Sequence, residues 1–146
     1  LHNAVMYVDN YLKRYQTEPD KLADIVKELY TNAHDRTKAL IYILQGRTNE
    51  SKKFMKAYHD LIDTHNLIGF DGPFSRSLAD VHLKMCFEQY CLNRSNLFIE
   101  INRLYQNTSE QQRTYICSLN DSGTLLTEFL NTFKEFCHSK QNQIPA

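Results

Sequence analysis

Residues 124–138 are TLLTEFLNTFKEFCH, and the spacing of the large apolar side chains in this stretch decides the fold class. The apolar positions are Leu126, Phe129, Leu130, Phe133 and Cys137. They follow the i, i+3, i+4, i+7, i+11 series of one helix face, because an α-helix turns once every 3.6 residues. The stretch therefore predicts an amphipathic helix whose apolar face packs against other helices.

Helical spacing continues over nearly the whole chain outside this stretch. Apolar residues recur three or four positions apart in residues 5–15, 22–44, 54–65 and 78–104, and Thr108-Ser109-Glu110 is expected to begin a short helix toward Cys117. The segment 22–44 forms either one helix that ends at Gly46 or two helices with a break near residues 32–35. The segment 78–104 either continues as one helix through the polar residues 93–96 or is interrupted there. The 146 residues hold only four Gly and three Pro, too few for an all-β fold with many tight turns.

We therefore predict an all-α fold, a single-domain helical bundle of five to seven helices that covers residues 1–146. Residues 139–146 are expected to form a polar C-terminal tail.

Four Asn-X-Ser sequences without proline in the middle position begin at Asn49, Asn93, Asn107 and Asn120. Random placement of the 12 Asn and the 18 Ser and Thr predicts about 1.5 such sequences. The four asparagines are expected to be N-glycosylation sites, which indicates a secreted, extracellular glycoprotein. The chain begins Leu-His-Asn, so we interpret it as a mature protein whose signal peptide has been removed, or otherwise as a truncated chain.

The four cysteines all lie in the second half of the chain, at Cys86, Cys91, Cys117 and Cys137. Cys86 and Cys91 are five residues apart, about 140° around a helix, so their side chains diverge and cannot bond while the helix is intact. A nested pairing, Cys86–Cys137 with Cys91–Cys117, suits an antiparallel arrangement of elements. We predict that these two disulfides cross-link the C-terminal half of the chain. The alternative is four reduced, buried thiols in a cytosolic protein.

Composition and motifs argue against several classes of function. Lys and Arg together number 17, as do Asp and Glu. The chain therefore lacks the excess of positive charge that is typical of proteins that bind nucleic acid, and we expect no nucleic-acid partner. The sequence contains no run of 18 apolar residues, so we expect no membrane-spanning helix. His59 and His65 are six residues apart and do not share a helix face. With no His-Glu-x-x-His, Cys-x-x-Cys, Gly-x-Ser-x-Gly or Gly-rich loop, we expect no metal, no cofactor, no catalytic residue and no enzymatic activity.

The chain is rich in aromatic residues, with nine Tyr and eight Phe. Such residues either form an ordinary core or line a pocket for an apolar ligand, with tyrosine hydroxyls as the few polar contacts. The residues predicted to bind the ligand are Tyr11, Tyr15, Phe54, Tyr58, Phe70, Phe74, Phe129 and Phe133. The same aromatic stripe includes Tyr7, Phe87, Phe98 and Phe136.

Two functions fit these observations. The first is a secreted carrier that holds a small hydrophobic, lipid-like ligand between its helices. The alternative is a cytokine-like or host-interaction protein that binds a receptor or other protein through an outer helix face. Three of the four glycosylation sequences lie in residues 93–122, so the first two helices would offer a face free of sugar.

Overall fold

The computed structural model describes residues 2–66, 72–119 and 123–142. The described residues form eight α-helices and two short 3₁₀ turns, with no strand, which confirms the all-α prediction. The helix number exceeds the predicted five to seven, because the chain breaks both after Asn32 and at residues 93–96. After Asn32, Ala33 is extended, with φ −95° and ψ 140°, and so ends one helix before the next begins at Asp35.

The N-terminal half contains α1 (His2–Thr17), α2 (Leu22–Asn32), α3 (Asp35–Tyr42) and α4 (Asn49–Asn66). Pro19 begins the 3₁₀ turn between α1 and α2, where its fixed φ angle and missing N–H are tolerated. The side chains of Ile25, Leu29, Phe54, Tyr58 and Ile62 are completely or almost completely buried and form the centre of this half.

The C-terminal half contains α5 (Pro73–Leu92), α6 (Leu97–Gln106), α7 (Glu110–Cys117) and α8 (Thr124–Asn142). The helix predicted from residues 124–138 is therefore confirmed, and it includes the first four residues of the expected polar tail. Its Phe129 and Phe133 are buried in one cluster with Ile101, Leu104 and Ile116.

The chain divides into two compact units, Leu1–Ile68 and Gly69–Ala146. Each unit has its own buried apolar residues, and the single-domain organisation stays a prediction. Within the described ranges, no helix is both long enough and apolar enough to cross a membrane.

Candidate functional site

Four of the residues predicted to bind an apolar ligand lie in the N-terminal unit. Phe54 and Tyr58 of α4 have no exposed surface, and Tyr15 of α1 is buried with its ring centroid 6.1 Å from that of Phe54. Tyr11 is only half-buried, and its hydroxyl accepts a 3.2 Å hydrogen bond from Asn32 Nδ2. The structure therefore places three of these side chains inside the unit and the fourth near its surface.

Three more of the predicted residues lie in the C-terminal unit, and Phe70 lies outside the described residues. Phe74, Phe129 and Phe133 are buried, and the ring of Phe129 packs 5.6 Å from Phe87 and 5.5 Å from Tyr90. A side chain with no exposed surface, such as Phe129 or Phe133, has no water-sized space beside it. The predicted set is thus divided between two units, where its fully buried members pack as core.

Tyr58 carries an unusual polar group in the centre of the N-terminal unit. Its hydroxyl is buried and has no hydrogen-bond partner among the described residues. Burial raises the pKa of Tyr58, and the neighbouring hydroxyls of Tyr30 and Tyr7 raise it further. An unpartnered buried hydroxyl is costly to stability, so this group is available to a polar atom that enters the core.

A pocket of about 510 Å³ also lies in the N-terminal unit, and its lining is largely charged and polar. His59 lines the pocket and stacks on Tyr42, with ring centroids 4.5 Å apart. The Tyr42 hydroxyl donates to Asp63 over 3.2 Å, and burial together with that carboxylate raises the pKa of Tyr42 to about 12. No group of three or more His, Cys, Asp or Glu in the described part of the chain could hold a metal ion.

A second pocket, of about 480 Å³, lies in the C-terminal unit and is lined by residues of α6, α7 and α8. Arg113 forms one wall: its Nε and Nη2 donate to the Tyr105 carbonyl at 3.2 and 2.9 Å, and Nη2 also donates to the Thr108 carbonyl at 2.7 Å. Its guanidinium lies 3.7 Å from the Tyr105 ring centroid. Lys134 and Lys140 add two further positive charges and Glu110 one negative charge, so the lining carries a net positive charge that attracts an anionic molecule.

Cys117 and Cys137 line this same pocket, one from α7 and one from α8. Burial, together with the neighbouring Cys117, raises the pKa of Cys137 to about 12 against an opposing effect of Arg113.

The two predicted disulfides, Cys86–Cys137 and Cys91–Cys117, are not formed, and all four cysteines are free. Cys86 is buried, where burial and the Glu100 carboxylate raise its pKa to about 11 against a smaller opposing effect of Arg103. Cys91 is exposed near the end of the same helix. The nested pairing is therefore not supported, and the cysteine that acts on the pKa of Cys137 is Cys117.

Three large apolar side chains are exposed where α5 ends and α6 begins, and we call them the apolar hairpin end: Leu92, Phe98 and Ile99. Their exposed fractions are 80%, 71% and 56%. The sequence analysis grouped Phe98 with the aromatic stripe and left open whether the helix continues through residues 93–96. The 3₁₀ turn Arg94–Asn96 shifts the helical register, so Ile101 and Leu104 face the core while Phe98 and Ile99 do not.

The asparagines of three predicted glycosylation sequences, Asn49, Asn93 and Asn107, are exposed, and Asn120 lies outside the described residues. Asn93 does not lie inside an α-helix: its Oδ1 accepts hydrogen bonds from Ser95 N at 3.3 Å and Ser95 Oγ at 2.6 Å, and so caps the 3₁₀ turn. Each of these three positions is therefore accessible to a modifying enzyme.

Comparison of the chain with protein-family models, with curated proteins and with solved structures finds no match. The function is therefore argued from the geometry alone.

The sequence analysis missed the apolar hairpin end and the Arg113 pocket. The signal for the first was the polar stretch 93–96, which interrupts the apolar spacing and permits a change of register. Arg113 carries no sequence signal, because its role depends on carbonyl groups five and eight residues away.

Proposed function

We propose that the protein is a secreted, glycosylated helical protein that binds another protein through the apolar hairpin end. The exposure of Leu92 and Phe98, at 80% and 71%, is the observation that supports this proposal most. Large apolar side chains are normally buried, and each gains about 1.5–3 kcal/mol when it is removed from water. Exposed groups of such residues commonly mark interaction surfaces.

The shape of this surface favours a protein partner over a small ligand. Side chains exposed to this extent protrude, so they cannot enclose a small molecule but can enter a groove on a partner. Exposed polar residues adjoin them in the sequence: Asn93 caps the 3₁₀ turn, Arg94 lies in it, and Glu88 lies one helical turn before Leu92 on α5. An apolar centre with a polar rim is the usual arrangement of a protein–protein interface.

The exposed asparagines at positions 49, 93 and 107 support the secreted, glycosylated part of the proposal. Asn93 follows Leu92 directly, so a glycan on Asn93 would cover part of the proposed surface. We therefore expect the partner to bind best to the form that carries no sugar at this position.

The test compares L92S/F98S with V5S/M6S, which replaces two exposed apolar residues of α1. Each purified protein is immobilised and exposed to surface proteins of the native host, and bound proteins are identified by quantitative mass spectrometry. We expect one partner that the parent and V5S/M6S retain and that L92S/F98S loses at least tenfold. Equal retention by all three proteins would contradict the proposal.

Two other occupants of the same surface are separate outcomes of the test. Sedimentation equilibrium that shows a dimer in the parent and a monomer in L92S/F98S would assign the surface to self-association. Flotation of the parent with phosphatidylcholine vesicles, lost in L92S/F98S, would assign it to a membrane. Either result would overturn the proposed protein partner.

A second candidate function, the carrier of a small hydrophobic ligand, is favoured by the unpartnered hydroxyl of Tyr58. A ligand with one polar atom and an apolar body would satisfy this hydroxyl and displace part of the surrounding core. Mass spectrometry of an organic extract of the purified protein tests this function. A stoichiometric lipid that is lost in Tyr58→Phe would support the carrier, whereas an extract without ligand would count against it.

A further inference from the structure

We propose that Cys117 and Cys137 form a disulfide bond that joins α7 to α8, whereas Cys86 and Cys91 take part in no intramolecular disulfide. The inference rests on geometry and is independent of the proposed function. Helices α7 and α8 pack on each other, and both cysteines line the same pocket, where Cys117 is close enough to raise the pKa of Cys137. A disulfide needs its two sulfur atoms about 2.05 Å apart, and cysteines that share a pocket between packed helices are placed to reach that separation.

The other two cysteines have no route to a second disulfide while the fold is intact. Cys86 and Cys91 both lie on α5, which is unbroken from Pro73 to Leu92, and they point about 140° apart around its axis. Cys86 is buried in the core of the unit, and Cys91 is exposed to solvent. Oxidation of the folded protein therefore yields one intramolecular bond.

The pocket gives a chemical route to this bond. The oxidant is a low-molecular-weight disulfide of the oxidised glutathione class, which is anionic and is attracted by Arg113, Lys134 and Lys140. One cysteine loses its proton to solvent, and its sulfur attacks the oxidant, which releases one glutathione thiolate. The second cysteine then attacks the mixed disulfide in the same way, so two thiols are oxidised and one glutathione disulfide is reduced to two glutathione molecules.

The disulfide has a structural consequence for the C-terminal unit. The bond closes a loop that contains residues 118–136, with the Asn120 glycosylation sequence and the buried Phe129 and Phe133. A cross-link that closes a loop of this length lowers the conformational entropy of the unfolded chain and so stabilises the folded state. We therefore expect the oxidised protein to melt roughly 10 °C above the reduced protein.

Trypsin separates the relevant cysteines, which makes the test direct. Cleavage after Lys and Arg gives the peptides 85–94, with Cys86 and Cys91, 114–134, with Cys117, and 135–140, with Cys137. The reduced protein is incubated with oxidised glutathione, its free thiols are alkylated in denaturant, and the digest is analysed without reduction. We expect peptide 114–134 linked to 135–140, and peptide 85–94 linked to neither, with Cys86 alkylated and the exposed Cys91 either alkylated or joined to glutathione.

The matched variants are C86S/C91S, which retains the proposed pair, and C117S/C137S, which lacks it. Oxidation should raise the melting temperature of the parent and of C86S/C91S but not that of C117S/C137S. Peptide 85–94 linked to either of the other peptides would overturn the proposal and restore a pairing of the nested kind. Four alkylated thiols after oxidation would overturn it as well.

Discussion

Whether the hydroxyl of Tyr58 stabilises or destabilises the folded protein can be measured. It is buried without a partner among the described residues, so it has lost its hydrogen bonds to water and gained none in return. We expect Tyr58→Phe to leave the free energy of unfolding unchanged or to raise it by about 1 kcal/mol, because the substitution removes only the unsatisfied oxygen. Urea unfolding followed by circular dichroism measures the difference.

Tyr42→Phe is the matched control, since the Tyr42 hydroxyl donates to Asp63 over 3.2 Å. Loss of that hydrogen bond should lower the free energy of unfolding by about 0.5–1.5 kcal/mol. If Tyr58→Phe lost as much as Tyr42→Phe, the Tyr58 hydroxyl would have a partner, and the argument that it is available to a ligand would fail.

At the scale of a helix, α8 and α6 offer a comparison between a buried and an exposed phenylalanine. Phe133 of α8 has no exposed surface, whereas Phe98 of α6 is 71% exposed. Phe133→Ala should lower the free energy of unfolding by roughly 3–5 kcal/mol, because the substitution leaves a cavity in a packed core. Phe98→Ala should change it by less than about 0.5 kcal/mol. Both values are obtained from urea unfolding.

The same pair of variants bears on function. A cost for Phe133→Ala far below this range would indicate that Phe133 is less tightly packed than its complete burial implies. The expected large cost, together with no measurable binding of a fatty acid by either variant or parent, would leave only the protein-binding function.

Ser109, at the start of α7, has two roles: it belongs to a glycosylation sequence and it caps the helix. Ser109 is the hydroxyl residue of the Asn107 glycosylation sequence, and its Oγ also accepts a 3.2 Å hydrogen bond from Gln112 N in a capping box. Ser109→Ala should therefore lower the free energy of unfolding by about 1 kcal/mol even in protein made in bacteria, which carries no sugar. Thermal unfolding of that material checks the value.

Asn107→Gln is the control for Ser109, because it abolishes the same glycosylation sequence without loss of the cap. Asn107 is exposed, so the loss of its 2.9 Å hydrogen bond to the Arg103 carbonyl should lower the stability of bacterial material by less than Ser109→Ala does. If the two variants were equally stable, Ser109 would not contribute as a helix cap, and the assignment of the capping box would be wrong.

The helices show what the sequence could predict and what it could not. The i, i+3, i+4 series of Leu126, Phe129 and Leu130 specifies α8 locally, so the apolar spacing was sufficient to predict this helix. The face of α6 depends on whether residues 93–96 continue the preceding helix, and a polar stretch alone does not decide this. The pairing of Cys117 with Cys137 depends on how α7 packs against α8, which is a tertiary property that spacing does not contain.

For the whole molecule, the absence of net charge and the exposed asparagines are the features that bear on where the protein functions. Equal numbers of acidic and basic residues give no general attraction to nucleic acid or anionic lipid, so specific contacts have to supply any affinity. The apolar hairpin end and two of the three described glycosylation sequences, at Asn93 and Asn107, belong to the same compact unit. A glycan on Asn93, which follows Leu92 directly, would therefore lie beside the proposed partner surface.

This arrangement predicts a measurable pattern of glycosylation. Protein secreted from a eukaryotic cell should carry N-linked sugar, and treatment with an N-glycosidase should lower its mass. Asn107 should be occupied, because it is exposed and its Nδ2 can keep one N–H for the 2.9 Å hydrogen bond to the Arg103 carbonyl after the other is replaced by sugar. Asn107→Gln should remove one glycan mass, and Asn93→Gln should remove another and strengthen partner binding. An unchanged mass of the secreted parent after glycosidase treatment would contradict the secreted, glycosylated assignment on which the proposed function depends.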